Sequence, residues 1–388
     1  MNYRIQVHES PEEISAHEWD ELLALQARPT PFMHHAYLHA LHASGSACAA
    51  TGWEPRFLTL HTDAGLQAAV AVYLKTHSYG EYVFDWAWAD AYQRHGLHYY
   101  PKALAAVPFT PVPGTRLLAR NAEARQVLAA GLRQWARDQG LSSAHLLFPD
   151  EDDLQALSAD GWLVREGVQF HWVQDATQAV DSLDGLLHRM QRHKRKNIVQ
   201  ERRKVSEAGV SFTVHEGSAI DEKLWDFFYA CYCSTYAAHH STPYLTRDFF
   251  RHMARHMPEH WVMFVARRGD AALAASLIAV DRMRQWAWGR YWGSTEHVPC
   301  LHFEACYYQP LAWCIEQGFK RFEGGAQGEH KMARGLLPVK TASAHWIRDR
   351  RFEAAIVDFL GREGAGVSAY VDELRERGPF KPAPAHKG

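Results

Sequence analysis

Two stretches of the chain, with Leu97 and Leu301 marking matching points 204 positions apart, carry the same order of apolar runs and turns. In the first, Arg56–Thr62 and Gln67–Lys75 read as strands around Asp63-Ala64-Gly65. An apolar-aromatic run follows, Tyr82–Ala89, and then Leu97-His98-Tyr99. In the second, Trp261–Ala266 and Ala272–Val280 flank Arg268-Gly269-Asp270, followed by Gln285–Trp292 and Leu301-His302-Phe303. Self-similarity over such an interval indicates two copies of one supersecondary unit. The length of 388 residues agrees with two domains of about 100–200 residues each. The expected division is 1–178 and 179–380, with a basic linker helix over about 182–208 and a disordered tail at 381–388.

Each copy continues with a helix and a further strand. Asn121 is placed to cap an amphipathic helix that Gly140 ends, ahead of a strand at Ala144–Phe148. In the second copy a helix over Leu301–Gln317 precedes Gly318 and a short strand, Phe319–Glu323. Three antiparallel strands, a helix and another strand make an α/β chain with mixed sheets, a pattern shared by several α+β folds.

Hydrophobic residues make up 47% and charged residues 22%, which excludes disordered and fibrous classes. The longest apolar runs, such as Ala271–Val280, fall short of the roughly 20 residues of a membrane helix. The start, MNYRIQVHES, does not read as a secretory leader, so the chain is expected to have no membrane span and to be cytoplasmic. Six cysteines form no CxxC pair and are expected to be buried, reduced thiols. No metal site is expected: His35, His39 and His42, and His252, His256 and His260, share helix faces but lack an acidic or thiol partner at ligand spacing. No HExxH, GxSxG, Walker A or GxGxxG is present.

The formal charge of −2 hides a division. Residues 1–180 carry 12 Lys+Arg and 20 Asp+Glu, leaving 30 and 24 for the remainder. Much of the excess lies in His188–Lys204, HRMQRHKRKNIVQERRK, with eight Lys/Arg against the single acid Glu201. Such a run calls for an anionic partner or for full solvation.

Taken together, FDWAWADAY (Phe84–Tyr92), GLHYYPK (Gly96–Lys102), VPFTPVP (Val107–Pro113), KRKNIVQERR (Lys194–Arg203), PYLTRDFF (Pro243–Phe250), GRYWG (Gly289–Gly293), LHFEACYYQ (Leu301–Gln309) and EGGAQGEHKMARGLLP (Glu323–Pro338) resemble the FemAB-like family of predicted bacterial N-acyltransferases. The resemblance runs from about Ser10 to Phe380. It implies two tandem GNAT-type domains and transfer of an acyl or aminoacyl group to an amine without a covalent enzyme intermediate. The acceptor would be a small-molecule or peptide-like amine. No tightly bound cofactor is implied; the co-substrate would be acyl-CoA or aminoacyl-tRNA, with tRNA then a partner. The (R/Q)xxGx(G/A) loop of acetyl-CoA-dependent relatives is missing at Gly293–Cys300 and incomplete at Gln93–His98, where His98 takes the last position. A degenerate, non-catalytic pair that binds an anionic ligand or nucleic acid is the alternative.

Amide formation needs a neutral amine, donors for the tetrahedral oxyanion and a path for the proton. In GNAT domains a backbone N–H on the fourth strand supplies the oxyanion donor, here near Trp288–Trp292 or Trp86–Asp90. The catalytic candidates are Glu304, His302, Glu323 and His330. Glu304, expected near a helix N-terminus, suits an ammonium or a proton. Gln327, Lys331 and Arg334, with Glu329 and Arg290, are candidates for binding substrate, and Gly324, Gly325 and Gly328 for close backbone approach. In the first domain Asp85, Asp90, Arg94 and Lys102 are substrate-binding candidates, with Asp85 and Asp90 on opposite faces of a strand. Arg195, Lys196, Asn197 and Arg202 are expected at donor phosphates.

Overall fold

A computed structural model gives the architecture and describes residues 2–175, 179–326 and 328–381. Gln327, the division at Gln178 and the tail 382–388 lie outside the described residues. The strands are β1 (Arg4–His8), β2 (Trp53–Thr62), β3 (Gly65–Lys75), β4 (Lys102–Ala105), β5 (Leu118–Ala119), β6 (Ser143–Leu147), β7 (Leu163–Val173), β8 (Ser211–Glu216), β9 (Trp261–Arg268), β10 (Ala271–Asp281), β11 (Trp286–Ser294), β12 (Arg321–Glu323) and β13 (Leu337–Ile347). The helices are α1 (Ala16–Ala24), α2 (His35–Ala43), α3 (Trp86–Arg94), α4 (Ala122–Asp138), α5 (Glu151–Ala159), α6 (Leu183–Arg189), α7 (Arg192–Glu207), α8 (Glu222–Ala238), α9 (Arg247–His256), α10 (Leu301–Phe303), α11 (Gln309–Glu316) and α12 (Arg350–Glu376).

The chain forms two compact units. Unit 1 holds Met1–Gly167, Tyr244–Met253 and Lys340–Ala369; unit 2 holds Val168–Pro243, Ala254–Val339 and Tyr370–Gly388. Within unit 1 the strands run β1-β2-β3-β4-β6-β13, with β4 parallel to β6 and the other neighbours antiparallel. Within unit 2 they run β8-β9-β10-β11-β12-β7, with β11 parallel to β12 and the other neighbours antiparallel. The plan is the same in both, so the repeat in the sequence is a repeat in topology. The sixth strand of each unit comes from the other half of the sequence: Ser343–Ile347 pairs with β6, and His171–Val173 pairs with β12.

Local chemistry explains the elements that agree with the sequence. Asn121 Oδ1 accepts the Ala124 N–H at 2.9 Å, and Gly140 leaves α4 at φ +72°. Ala124, Leu128, Leu132 and Ala136, spaced by four, form the buried stripe of α4 and pack with Leu58, Val70 and Leu146 in the unit 1 core. The unit 2 core gathers Phe264, Ile278, Tyr308, Leu311 and Phe322.

Three expectations are corrected. Tyr82–Ala89 is not a strand: its second half opens helix α3. The alternation of Trp86 and Trp88 mimics a period of two, yet only Trp88 is buried, together with Tyr92 one helical turn on. The third strand of unit 1 is instead the four-residue β4, so Leu97-His98-Tyr99 precedes a strand while Leu301-His302-Phe303 opens a helix. The basic segment is two helices rather than one. Fully buried Met190 is extended between α6 and α7 and bridges to Phe380, and the Gln191 N–H donates to the Pro379 carbonyl. The helix over Leu301–Glu316 is continuous but contains a π-helical turn, Glu304–Tyr308. Pro310 has no N–H to offer the Cys306 carbonyl, which removes one α-helical bond at that point.

Candidate active site

In unit 2, the parallel pair β11/β12 is in register at Trp286↔Arg321, Ala287↔Phe322 and Trp288↔Glu323, and there it stops. Strand β11 runs on to Ser294 without that neighbour, while the other chain turns away at Gly324 and Gly325. Arg290 is the extra residue of a bulge at this point, since Leu277 pairs with Tyr291 and Ile278 with Gly289. Parting parallel strands leave backbone groups at their ends for a ligand. Trp288–Trp292 therefore keeps its expected position at an opening strand. Trp86–Asp90, the other segment considered for an oxyanion donor, is helical and has no such geometry.

Side chains of the helix over Leu301–Glu316 line up beside this opening. The His302 ring lies 5.3 Å from Trp292 and 5.7 Å from Tyr307. The Tyr307 hydroxyl is 3.2 Å from His330 Nε2. Lys331 Nζ donates to the carbonyls of Gly325 (3.1 Å) and Ala326 (2.9 Å). Burial, helped by His330, Arg334 and Lys331, lowers His302 to about 4, and burial with Arg334 and Lys331 also lowers His330. Both imidazoles are neutral bases at pH 7. Burial lowers Lys331 to about 8. A Cβ on Gly324 would meet Leu336 Cδ2 at 2.6 Å and Lys331 Cδ at 3.1 Å, so the loop requires glycine there.

Glu304 is buried in the π turn. Its carboxylate accepts from Arg202 Nε (3.2 Å) and from Gln309 Nε2 (2.7 Å). Residues five apart come into register only because the turn is π-helical. Also on α7, Glu201 accepts from Arg334 at 3.0 Å and from the Tyr308 hydroxyl. The Arg334 guanidinium lies 3.5 Å over the Phe303 ring. Glu323, buried at the end of β12, lies 3.6 Å from Arg321 and 3.8 Å from His171. Glu329 is exposed and accepts from Tyr370 at 3.2 Å.

The structure thus brings Glu304, Arg202, His302, His330, Lys331 and Arg334 into one contiguous set, with Glu323 and Arg290 at the parting strands. Arg202 is engaged by Glu304 rather than held out for a phosphate, whereas Lys196 and Asn197 are exposed and Arg195 half-buried. Glu201, Tyr307, Tyr308 and Gln309 are further members that the sequence reading passed over. Glu201 carried a signal, as the single acid in a basic run.

Unit 1 uses its candidates differently. Lys102 is fully buried and donates to Ser78 Oγ (2.8 Å), Glu81 Oε2 (2.8 Å) and Asp85 Oδ2. Tyr99 donates to Asp85 at 2.6 Å and lies 3.1 Å from His145 Nε2; His145 and His345 meet Nδ1 to Nδ1 at 2.7 Å. Asp85 and Lys102, expected to bind substrate, are therefore sealed into a structural ion pair. Asp90 and Arg94 form an exposed pair at 2.9 Å, one turn apart on α3, not on a strand. Asp90 edges a groove of about 680 Å³ together with Trp86, Leu97 and Tyr100. The His35 and His39 rings stack, and His39 reaches Glu12 at 3.2 Å. Among the described residues no group of three His, Cys, Asp or Glu is placed to hold a metal, and no helix is long and apolar enough to cross a membrane.

The two units repeat one mixed α/β strand plan, and in unit 2 polar residues gather where its parallel strands part. The chain belongs to the FemAB-like family, described as acting in peptidoglycan biosynthesis and recognition, which it matches over residues 10–382. It is similar in fold to the crystal structure of FemX, with 13% identity, a TM-score of 0.55, and coverage of 92% of this chain and 100% of that one. It is also similar to L-PGS from Bacillus licheniformis, with 11% identity, a TM-score of 0.55, and coverage of 92% and 98%. A third such structure is the C-terminal domain of a putative lysylphosphatidylglycerol synthetase from Agrobacterium fabrum, with 11% identity, a TM-score of 0.54, and coverage of 90% and 97%. No curated protein matches the chain.

Proposed function

We propose that the chain is a cytoplasmic N-acyltransferase that moves an acyl or aminoacyl group from acyl-CoA or aminoacyl-tRNA to an amine, by direct attack. The observation that carries this reading is the contact series from Trp292 through His302, Tyr307 and His330, with Lys331 next in the chain reaching the Gly325 carbonyl. It runs from one parted strand to the other and holds two neutral imidazoles. The amine nitrogen attacks the donor carbonyl carbon, and the oxyanion meets backbone N–H groups of β11 past Trp288. The amine proton passes to His330, the exposed imidazole. The carbon–sulfur or carbon–oxygen bond then breaks, and the proton leaves with the CoA thiol or the tRNA hydroxyl. Glu304, fixed by Arg202 and Gln309, attracts the incoming ammonium form, which gives one proton to solvent before its nitrogen attacks, and Glu323 faces the same strand end. Lys331, Arg334, Arg290 and Glu329 contact the substrates, and Arg195, Lys196 and Asn197 meet donor phosphates. Membership of a peptidoglycan-related family supports a peptide-like amine acceptor.

The test is a thermal-shift titration of the full chain with acetyl-CoA, long-chain acyl-CoAs, and charged and uncharged tRNA. It is followed by transfer assays with the stabilising donor and a panel of amine peptides. A donor at 100 times its dissociation constant adds about 2.7 kcal/mol to the native state. Glu304→Gln and His330→Ala should each lower turnover by about 10²-fold or more. Unchanged turnover in both variants would remove the site assignment. Binding without transfer by any donor would instead favour the non-catalytic pair.

A further inference from the structure

Consecutive residues of α7 bind partners of opposite sign in unit 2: Arg202 holds Glu304, and Glu201 holds Arg334. Both carboxylate oxygens of Glu201 accept from Arg334 Nη2, at 3.0 and 3.1 Å, and one also accepts from the Tyr308 hydroxyl. Burial raises that hydroxyl, so it remains a donor. Arg334 is itself buried. Its Nη1 donates to the His330 carbonyl at 2.7 Å, and its guanidinium lies over Phe303, whose ring is 6.2 Å from that of His330. One guanidinium therefore joins α7, the helix over Leu301–Glu316 and the turn that carries His330. The His330 imidazole stands among cations. Arg334 and Lys331 come from its own turn, while Lys194 of α7 and Arg377, just after α12 and paired with Glu373, line a cavity of about 280 Å³ with it. Its other titratable neighbours are His302, the Tyr307 hydroxyl and Glu329, which accepts from Tyr370. Beyond burial, Arg334 and Lys331 are the charges that lower His330, because a nearby cation disfavours the imidazolium. A base pushed too far down is neutral but takes a proton poorly. Glu201 supplies the counter-charge to Arg334 from another helix through two hydrogen bonds, so it fixes position and charge together.

We infer that Glu201 is a positioning residue of the transfer reaction: through Arg334 it ties the His330 turn to α7 and keeps the His330 imidazole basic enough to take the amine proton. This rests on the transferase reading, in which His330 is that base.

The test is an NMR titration of the full chain carrying 13C-labelled histidine, with the His330 signal assigned by its loss in His330→Gln. Glu201→Gln keeps the shape and one acceptor oxygen but leaves the Arg334 charge unopposed. It should lower the His330 midpoint by about half a pH unit. Arg334→Gln removes the cation and should raise the midpoint by about as much. The double variant, which loses both charges, should return it close to the wild-type value. A purely structural contact would loosen the turn in both single variants and move the midpoint the same way in each. Shifts of equal sign, or no shift, overturn the inference. Thermal melts verify that each variant is folded, and Glu201→Ala, which also removes the charge, serves should Glu201→Gln not fold. In transfer assays the low-pH limb of kcat should follow the NMR midpoint, down for Glu201→Gln and up for Arg334→Gln. If the midpoints move as expected and the limb does not follow, the coupling through Arg334 stands and the transferase reading with His330 as base fails.

Discussion

In unit 1 the ammonium of Lys102 meets two carboxylates and a hydroxyl in a pocket closed to solvent, whereas in unit 2 the buried carboxylate of Glu304 meets a guanidinium that stays 38% exposed. The two sheets share one strand plan, yet the charges sit differently within it. In unit 1 they tie the connection between β3 and α3 to the sheet: Lys102 of β4 holds Ser78, Glu81 and Asp85, and Lys75 of β3 reaches the Tyr79 carbonyl at 3.3 Å. In unit 2 the counterpart of the four-residue β4 is the nine-residue β11, and the ionic partners lie on helices around an open strand end. One strand plan thus carries a closed ionic cluster in unit 1 and a partly exposed one in unit 2.

The sharpest way to break this contrast is Lys102→Met. It strands the carboxylates of Glu81 and Asp85 in the interior and should destabilise unit 1 by about 3–5 kcal/mol, read from the denaturant midpoint. A loss under about 1 kcal/mol would mean that the cluster braces nothing. Second in size is a pH effect. Burial lowers Lys75 to about 7, so between pH 7 and 10.5 the unfolded chain holds a proton that the folded one has released. Stability should therefore rise with pH across that window, by an amount on the order of 4 kcal/mol for this group alone. Lys75→Met should flatten the rise. Burial raises Glu81 to about 7, which works in the opposite direction between pH 4.5 and 7. The smallest effect is expected at the surface of the same unit, where Asp90→Ala breaks only an exposed helical pair and should change stability by about 0.5 kcal/mol or less.

What the sequence disclosed follows how far each signal reaches along the chain. Asn121 and Gly140 act within a turn of their own positions, and α4 forms as expected. The hairpin turns at Gly65 and Gly269 are equally local and set β2/β3 and β9/β10. Lys102, Asp85 and Arg202 gave a true sign that charge mattered, but their roles depend on distant partners. Arg202 meets Glu304 across 102 residues, and His145 meets His345 across 200. Glu81 had no local feature to mark it. The misread run at Tyr82–Ala89 shows the converse: alternating tryptophans satisfied a strand pattern, while burial of Trp88 and Tyr92 decided for a helix. Near Glu304 the decisive element was Pro310, whose missing N–H accompanies the π turn that aligns Gln309 with the carboxylate.

The crossing of β7 and β13 from one unit to the other bears on how the molecule comes into being. The sheet of unit 1 is complete only when Lys340–Ile347 has been synthesised, by which time most of unit 2 has been synthesised as well. The usual order, in which an N-terminal domain folds while the next is still being translated, is closed to this chain. Its earliest stretch must wait, with the edge of β6 uncovered, for a strand encoded about 200 codons later.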